Sequence, residues 1–181
     1  MACAKSEYPE PKNSIDVSWQ HPHADFQLFD TNGKPLSLKD FRGKVVVLFF
    51  GYTHCPEVCP TTLADLAQVM RVLGPDAKKI QVLFITLDPE RDTAEKLAKY
   101  IPSFDPTFIG LLGDTQAIAQ AAKSFGIIYQ KQADQHGGYT LDHTDGTYLI
   151  GLEGKPLWMS RYGQSADLLA QDIKMLLTLS K

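Results

Sequence analysis

Two apolar runs rich in β-branched residues, at positions 45–50 and 80–87, lie on either side of a segment whose apolar residues recur at helical spacing. Runs this short and continuous fit strands buried on both faces, the kind found inside parallel sheets. The segment between them carries Leu63, Leu66, Ala67, Met70 and Leu73 and stops at Gly74-Pro75, which predicts a helix over 61–73. Strand, crossover helix and strand together predict a parallel pair, because such crossovers within one sheet are right-handed almost without exception.

The rest of the chain extends this unit. Phe26, Leu28, Leu36 and Leu38 flank Asn32-Gly33, a strong two-residue hairpin signal. Asp92 or Thr93 opens a helix that runs through Leu97 and Ile101. A short strand at 109–112 and an alanine-rich helix at 115–125 follow. Segments 147–150 and 157–159 bracket a turn at 152–155 and predict an antiparallel hairpin, and Leu169, Ile173 and Leu176 mark a closing amphipathic helix. This order predicts an α/β domain of thioredoxin-like arrangement: a central mixed sheet flanked by helices, with an N-terminal β-hairpin. The domain is expected over 24–181. Residues 1–23 are polar and proline-bearing without a period, and are expected to be a flexible tail or linker. Residues 126–145 exceed a normal connection and are expected to form a functional loop.

Charge narrows the function classes. The net charge of −3 and the lack of a basic run leave no footprint for nucleic acid. The longest apolar run is far short of a bilayer span.

Cys55 and Cys59 stand in Gly51-Tyr-Thr-His-Cys55-Pro-Glu-Val-Cys59-Pro60, just after the first strand. Open α/β sheets place their sites beyond the carboxyl ends of parallel strands. Asp88 follows the second strand, and His143 precedes a strand that, if antiparallel, begins at the same edge. Cys55, Cys59, His143 and Asp88 are therefore expected to converge. Cysteines four apart at a helix entrance share a face, with Cβ atoms about 5–6 Å apart. A disulfide wants about 4 Å, so the turn must pinch to form one, whereas a metal ion between the sulfurs asks for less distortion. Pro56 and Pro60 keep the turn from being an ordinary helix interior. Two thiolates and an imidazole form a soft three-ligand set that suits copper, Cu(I) or Cu(II). A structural zinc site normally fills four protein positions, and no convincing fourth is evident. On the residues alone, copper, a redox dithiol and zinc all stand.

Other candidates read as ordinary. His54 adjoins Cys55, but neighbouring side chains diverge, so it is not expected to ligate. His21, His23 and His136 are expected to be solvated, and Met70, Met159 and Met175 to belong to the core. Tyr52 and Tyr139 are candidates to wall the site.

Three segments carry a family resemblance: Phe50-Gly-Tyr-Thr-His-Cys-Pro-Glu-Val-Cys-Pro-Thr-Thr-Leu63, Phe84-Ile-Thr-Leu-Asp-Pro-Glu-Arg-Asp-Thr93 and Tyr139-Thr-Leu-Asp-His-Thr144. Together they resemble the Sco/SenC family of copper proteins, from about Ala24 to the C-terminus. The resemblance implies a copper chaperone on the periplasmic side of a bacterial membrane. Such proteins assist assembly of the dinuclear copper (CuA) centre of cytochrome c oxidase, and some act as thiol reductants or redox sensors. It makes Cys55 and Cys59 the copper thiolates, or a redox-active pair, and His143 the imidazole ligand. Asp88 matches an acidic residue behind the site. The implied partners are the copper-bearing subunit of the oxidase, another copper chaperone, or a thiol reductant of the thioredoxin type. Cys3, in Ala-Cys-Ala-Lys-Ser, resembles the lipid-bearing start of a mature bacterial lipoprotein, so an N-terminal membrane anchor is expected. Copper delivery, thiol–disulfide exchange and sensing remain as alternatives, and an enzymatic reductase activity stays open. The spacing of three residues between the cysteines departs from the two usual in thioredoxin-type oxidoreductases. Asp145-Gly146-Thr147 also lacks the proline those proteins carry before the late strand, which leaves room for His143 beside the cysteines.

Overall fold

A computed structural model of the chain describes residues 8–135 and 137–179. Strands β4 (Val45–Gly51) and β5 (Ile80–Thr86) pair in parallel, and every residue of both is buried. Layers cover them on both faces, which is why their apolar runs are continuous rather than alternating. Helix α1 (Val58–Leu73) connects the two, and a parallel strand β6 (Ile109–Leu112) extends the sheet beyond β5. Helix α2 (Ala94–Tyr100) fills that second connection, capped by the Thr93 side chain, which accepts from the Lys96 amide. Helix α3 (Thr115–Ser124) follows β6 and is capped likewise by Asp114.

The expected N-terminal hairpin is present as β2 (Leu28–Asp30) and β3 (Pro35–Leu36), with β2 antiparallel to β6. On the other side, β9 (Thr147–Ile150) runs antiparallel to β4, and β10 (Pro156–Ser160) runs antiparallel to β9. Helix α4 (Ala166–Leu177) closes the fold, packing on α1 and β4. The core is continuous, with Phe49, Phe50, Phe84, Phe125 and Trp158 among its largest buried side chains.

Two sequence expectations need correction. The stretch 1–23 is not all tail. Strand β1 (Ile15–Asp16) pairs with β10, and Val17 is buried. The fully buried carboxylate of Asp172 accepts from the amides of Lys12 and Asn13 and from the hydroxyl of Ser14. Those partners lie some 160 residues apart, so no local periodicity announces them. Cys3 lies outside the described residues, as does His136.

The second correction concerns residues 126–145. The expected loop is a hairpin of its own, β7 (Tyr129–Ala133) against β8 (Tyr139–His143), forming a separate two-stranded sheet. The sequence of β7, Tyr-Gln-Lys-Gln-Ala, is mostly exposed and shows no buried stripe to read. His143, expected to lie in a loop, is therefore anchored on its N-terminal side by a paired strand.

Candidate metal centre

The carboxyl ends of β4 and β5 and the start of β9 meet at one edge, and the sequence-predicted residues gather there. Helix α1 begins at Val58, three residues earlier than its periodicity predicts. Cys59 and Pro60 thus fall in its first turn. Amides in a first turn have no carbonyl partner within the helix. The Cys59 amide donates instead to Cys55 Sγ at 3.4 Å, so a sulfur occupies the place of a capping oxygen. Pro60 brings no amide hydrogen, which removes another orphan donor and explains why proline is tolerated there.

Cys55 is partly exposed and Cys59 buried, and the two stand as separate thiols. Cys59 Sγ lies 4.0 Å from His143 Nε2. Two atoms bound to one ion by bonds of about 2.3 and 2.0 Å can be at most about 4.3 Å apart. The pair therefore fits a shared metal ion without rearrangement. His143 Nδ1 lies 3.0 Å from the Thr144 carbonyl oxygen, which can only accept. The proton of a neutral imidazole accordingly sits on Nδ1, and Nε2 keeps a free lone pair toward the sulfur. The rings of Phe49 and Tyr52 pack edge-on against the imidazole, with ring centres 6.5 and 6.2 Å from its own. The mouth is an open cleft lined by Tyr52, Cys55, Val58, Leu141, Asp142 and His143, among others.

Burial pushes the Cys59 thiol above its ordinary range, so the free protein carries a proton on this sulfur at neutral pH. Burial also raises Tyr52, whose phenolic oxygen accepts from the Leu141 amide at 3.2 Å.

Asp88 is buried, and both its oxygens are occupied. Arg91 Nε donates to one at 2.5 Å and the Tyr139 hydroxyl to the other at 2.7 Å. Tyr139 is pushed up to about 12, by desolvation first and then by its bond to the Asp88 carboxylate. Asp88 thus stands behind the site, tied to the strand that carries His143.

His54 is largely exposed, with Nδ1 3.9 Å from the buried carboxylate of Asp92. Although His54, Asp88 and Asp92 cluster closely, the carboxylates are already taken by other donors, and Arg91 adds a cation beside them.

Sequence reasoning missed two residues. Asp92, read only as a possible helix start, accepts from the Thr53 amide at 2.9 Å and from the Thr53 and Thr86 hydroxyls at 2.5 and 2.7 Å. It ties the cysteine turn to the end of β5. The signal available was its spacing of four from Asp88. Gly51 is the other. A Cβ there would lie 2.9 Å from Cys59 Sγ and 2.9 Å from the Phe84 ring. Phe84 and Cys59 are both fully buried, so neither can yield without disturbing the core around the sulfur. Gly51→Ala is expected to cost about 1–3 kcal/mol of stability and to weaken metal binding by displacing Cys59. Thermal melts paired with a copper titration check both effects.

The model of the SCO1/SenC family matches residues 18–178. The chain belongs to the SCO1/SenC family. Relatives of this SCO1/SenC chain include the mitochondrial SCO2 homologue of Homo sapiens, 41% identical over 144 residues, which are 78% of this chain and 53% of that protein. The chain spans about half the length of the curated relatives it matches. Among solved structures, Bradyrhizobium japonicum ScoI with copper bound is 41% identical. The likeness covers 84% of this chain and 98% of that one, with a TM-score of 0.78. Arabidopsis thaliana ScoI with copper bound is 31% identical, covering 85% of this chain and 97% of that one, with a TM-score of 0.79. The fold is the thioredoxin-like one these SCO1/SenC proteins share, as the element order predicts.

Proposed function

We propose that this chain binds one copper ion through Cys55, Cys59 and His143 and delivers it to the copper-bearing subunit of cytochrome c oxidase during assembly of the CuA centre. The observation that carries the reading is the 4.0 Å approach of His143 Nε2 to Cys59 Sγ, with Cys55 at the same helix start and an open cleft outside. Family membership and the copper held by the two ScoI relatives support the choice of metal. Thiolate and imidazole ligands suit both Cu(I) and Cu(II), so the ion can be received and released in either state. The open mouth lets a partner's own ligands reach the ion and exchange with those of this chain. Asp88 acts from behind through Tyr139 and Arg91. The domain is proposed to work on the periplasmic side of a bacterial membrane, held by an N-terminal anchor. No helix among the described residues is long and apolar enough to cross a membrane.

One observation also favours thiol–disulfide exchange with a thioredoxin-type reductant: a partly exposed sulfur, Cys55, sits beside a buried one, Cys59. A single comparison separates the readings. Reduced protein loaded with Cu(I) is expected to hold one ion per chain, and His143→Ala to lose affinity while its cysteine pair keeps a near-unchanged reduction potential. Unchanged affinity in His143→Ala would leave the dithiol reading in place.

A further inference from the structure

Among the described residues the hairpin that carries His143 pairs with no strand of the main sheet, so its position rests on side-chain contacts and on the short link to β9. Alternate residues of a strand share a face, which places Tyr139, Leu141 and His143 together on β8. Each is met by a group from the core. Leu141 is buried and its amide is held by the Tyr52 hydroxyl. His143 meets Cys59. Tyr139 meets the turn between β5 and α2, and there Arg91 makes the joint.

The Arg91 guanidinium acts as a fork. Nε donates to Asp88 Oδ2 at 2.5 Å, and Nη1 donates to the backbone carbonyl of Tyr139 at 2.9 Å. Its central carbon lies 3.6 Å from the centre of the Tyr139 ring. The Tyr139 hydroxyl closes the circuit by donating to the other oxygen of Asp88 at 2.7 Å. A carboxylate at the end of one core strand is thereby joined to both backbone and ring of β8. Arginine alone offers a planar set of donors that reaches a carboxylate and a carbonyl at once while stacking on an aromatic face. Lysine, a point charge, can do one of the two.

We propose that Arg91 is a positioning residue for His143, clasping β8 to the β5–α2 turn at Tyr139 so that the imidazole is held over Cys59. The inference rests on His143 being the imidazole ligand. With the clasp intact, the imidazole is in place before the ion arrives and binding spends little on ordering the hairpin. Without it, the cysteine turn is unchanged, but the third ligand must be found by a wandering strand.

The test is a double-mutant cycle on Cu(I) affinity, measured by competition with a chromogenic Cu(I) chelator. Arg91→Ala is expected to weaken binding by about 10–100-fold, the range for residues that orient a metal ligand. In a His143→Ala background the same change is expected to do almost nothing, within about twofold. Cu(II)-loaded Arg91→Ala is expected to show weakened nitrogen hyperfine coupling in its electron paramagnetic resonance spectrum. Equal losses in both backgrounds would mean that Arg91 acts on the thiolates or on the fold at large, and would overturn the proposal. So would unchanged affinity in Arg91→Ala. Should that variant fail to fold, Arg91→Lys takes its place under the same criterion, since it keeps a cation over Tyr139 but loses the fork. If His143→Ala alone leaves affinity intact, the ligand assignment fails, a result distinct from failure of the clasp.

Discussion

Cys59→Ser is expected to abolish tight copper binding, a larger loss than the roughly 100-fold upper range for a supporting residue. The expectation follows from softness and position together. A hydroxyl is a hard, weakly basic ligand where a thiolate is soft, and Cu(I) selects sulfur. Cys59 is also the residue whose sulfur lies within reach of His143 Nε2, so its loss removes one ligand and leaves the imidazole without the partner it faces. Cys55→Ser is expected to lose copper equally, but the two variants should differ in stability. Cys59 is completely buried, and a hydroxyl placed there without a partner costs about 1–3 kcal/mol. Cys55 is partly exposed, and a serine hydroxyl can accept from the Cys59 amide in its place, so this replacement should move stability by no more than about 0.5 kcal/mol. Metal analysis with thermal melts on both variants separates ligand loss from unfolding. Stoichiometric tight copper in either one would contradict the assignment.

Copper affinity is expected to rise with pH. Burial raises the Cys59 thiol, so its proton is still bound at neutral pH and must leave before the sulfur can ligate. Protons and metal compete for the same lone pair, and lower pH favours the proton. Affinity therefore climbs by roughly tenfold per pH unit for each proton displaced, as long as the pH stays below the value of the free thiol. Between pH 6 and 8 the gain from Cys59 alone is about 100-fold. The measurement is a chelator competition at fixed ionic strength, with proton release followed in weakly buffered solution. An affinity flat over this range would mean that Cys59 enters the complex already ionised, or does not enter it.

Much of this site is legible in the sequence because sheet topology does the work of bringing it together. The all-apolar runs of β4 and β5 announce a parallel pair, and a parallel pair sends its loops to one edge. Cys55, Cys59 and Asp88 follow from that. The antiparallel direction of β9 puts His143 at the same edge. What is not legible is of two kinds. Long-range polar contacts leave no period, so the grip of Asp172 on Asn13 and Ser14 is invisible until the chain is folded. Exposed structure leaves no apolar stripe either. In β7, Gln130, Lys131 and Gln132 all face solvent, and the hairpin reads as loop. Close approach is hidden for another reason. Gly51 ends an apolar run and looks like punctuation, yet Cys59 Sγ and the Phe84 ring together occupy the space a side chain would need.

The central claim is that two sulfurs and one imidazole nitrogen meet on a single ion. X-ray absorption of the Cu(I)-loaded protein tests it most directly, with His143→Ala as the control. The predicted result is a first coordination shell of two sulfurs and one nitrogen in the native protein, with the nitrogen lost in the variant and both sulfurs retained. A shell with one sulfur, or a nitrogen that survives removal of His143, would contradict it.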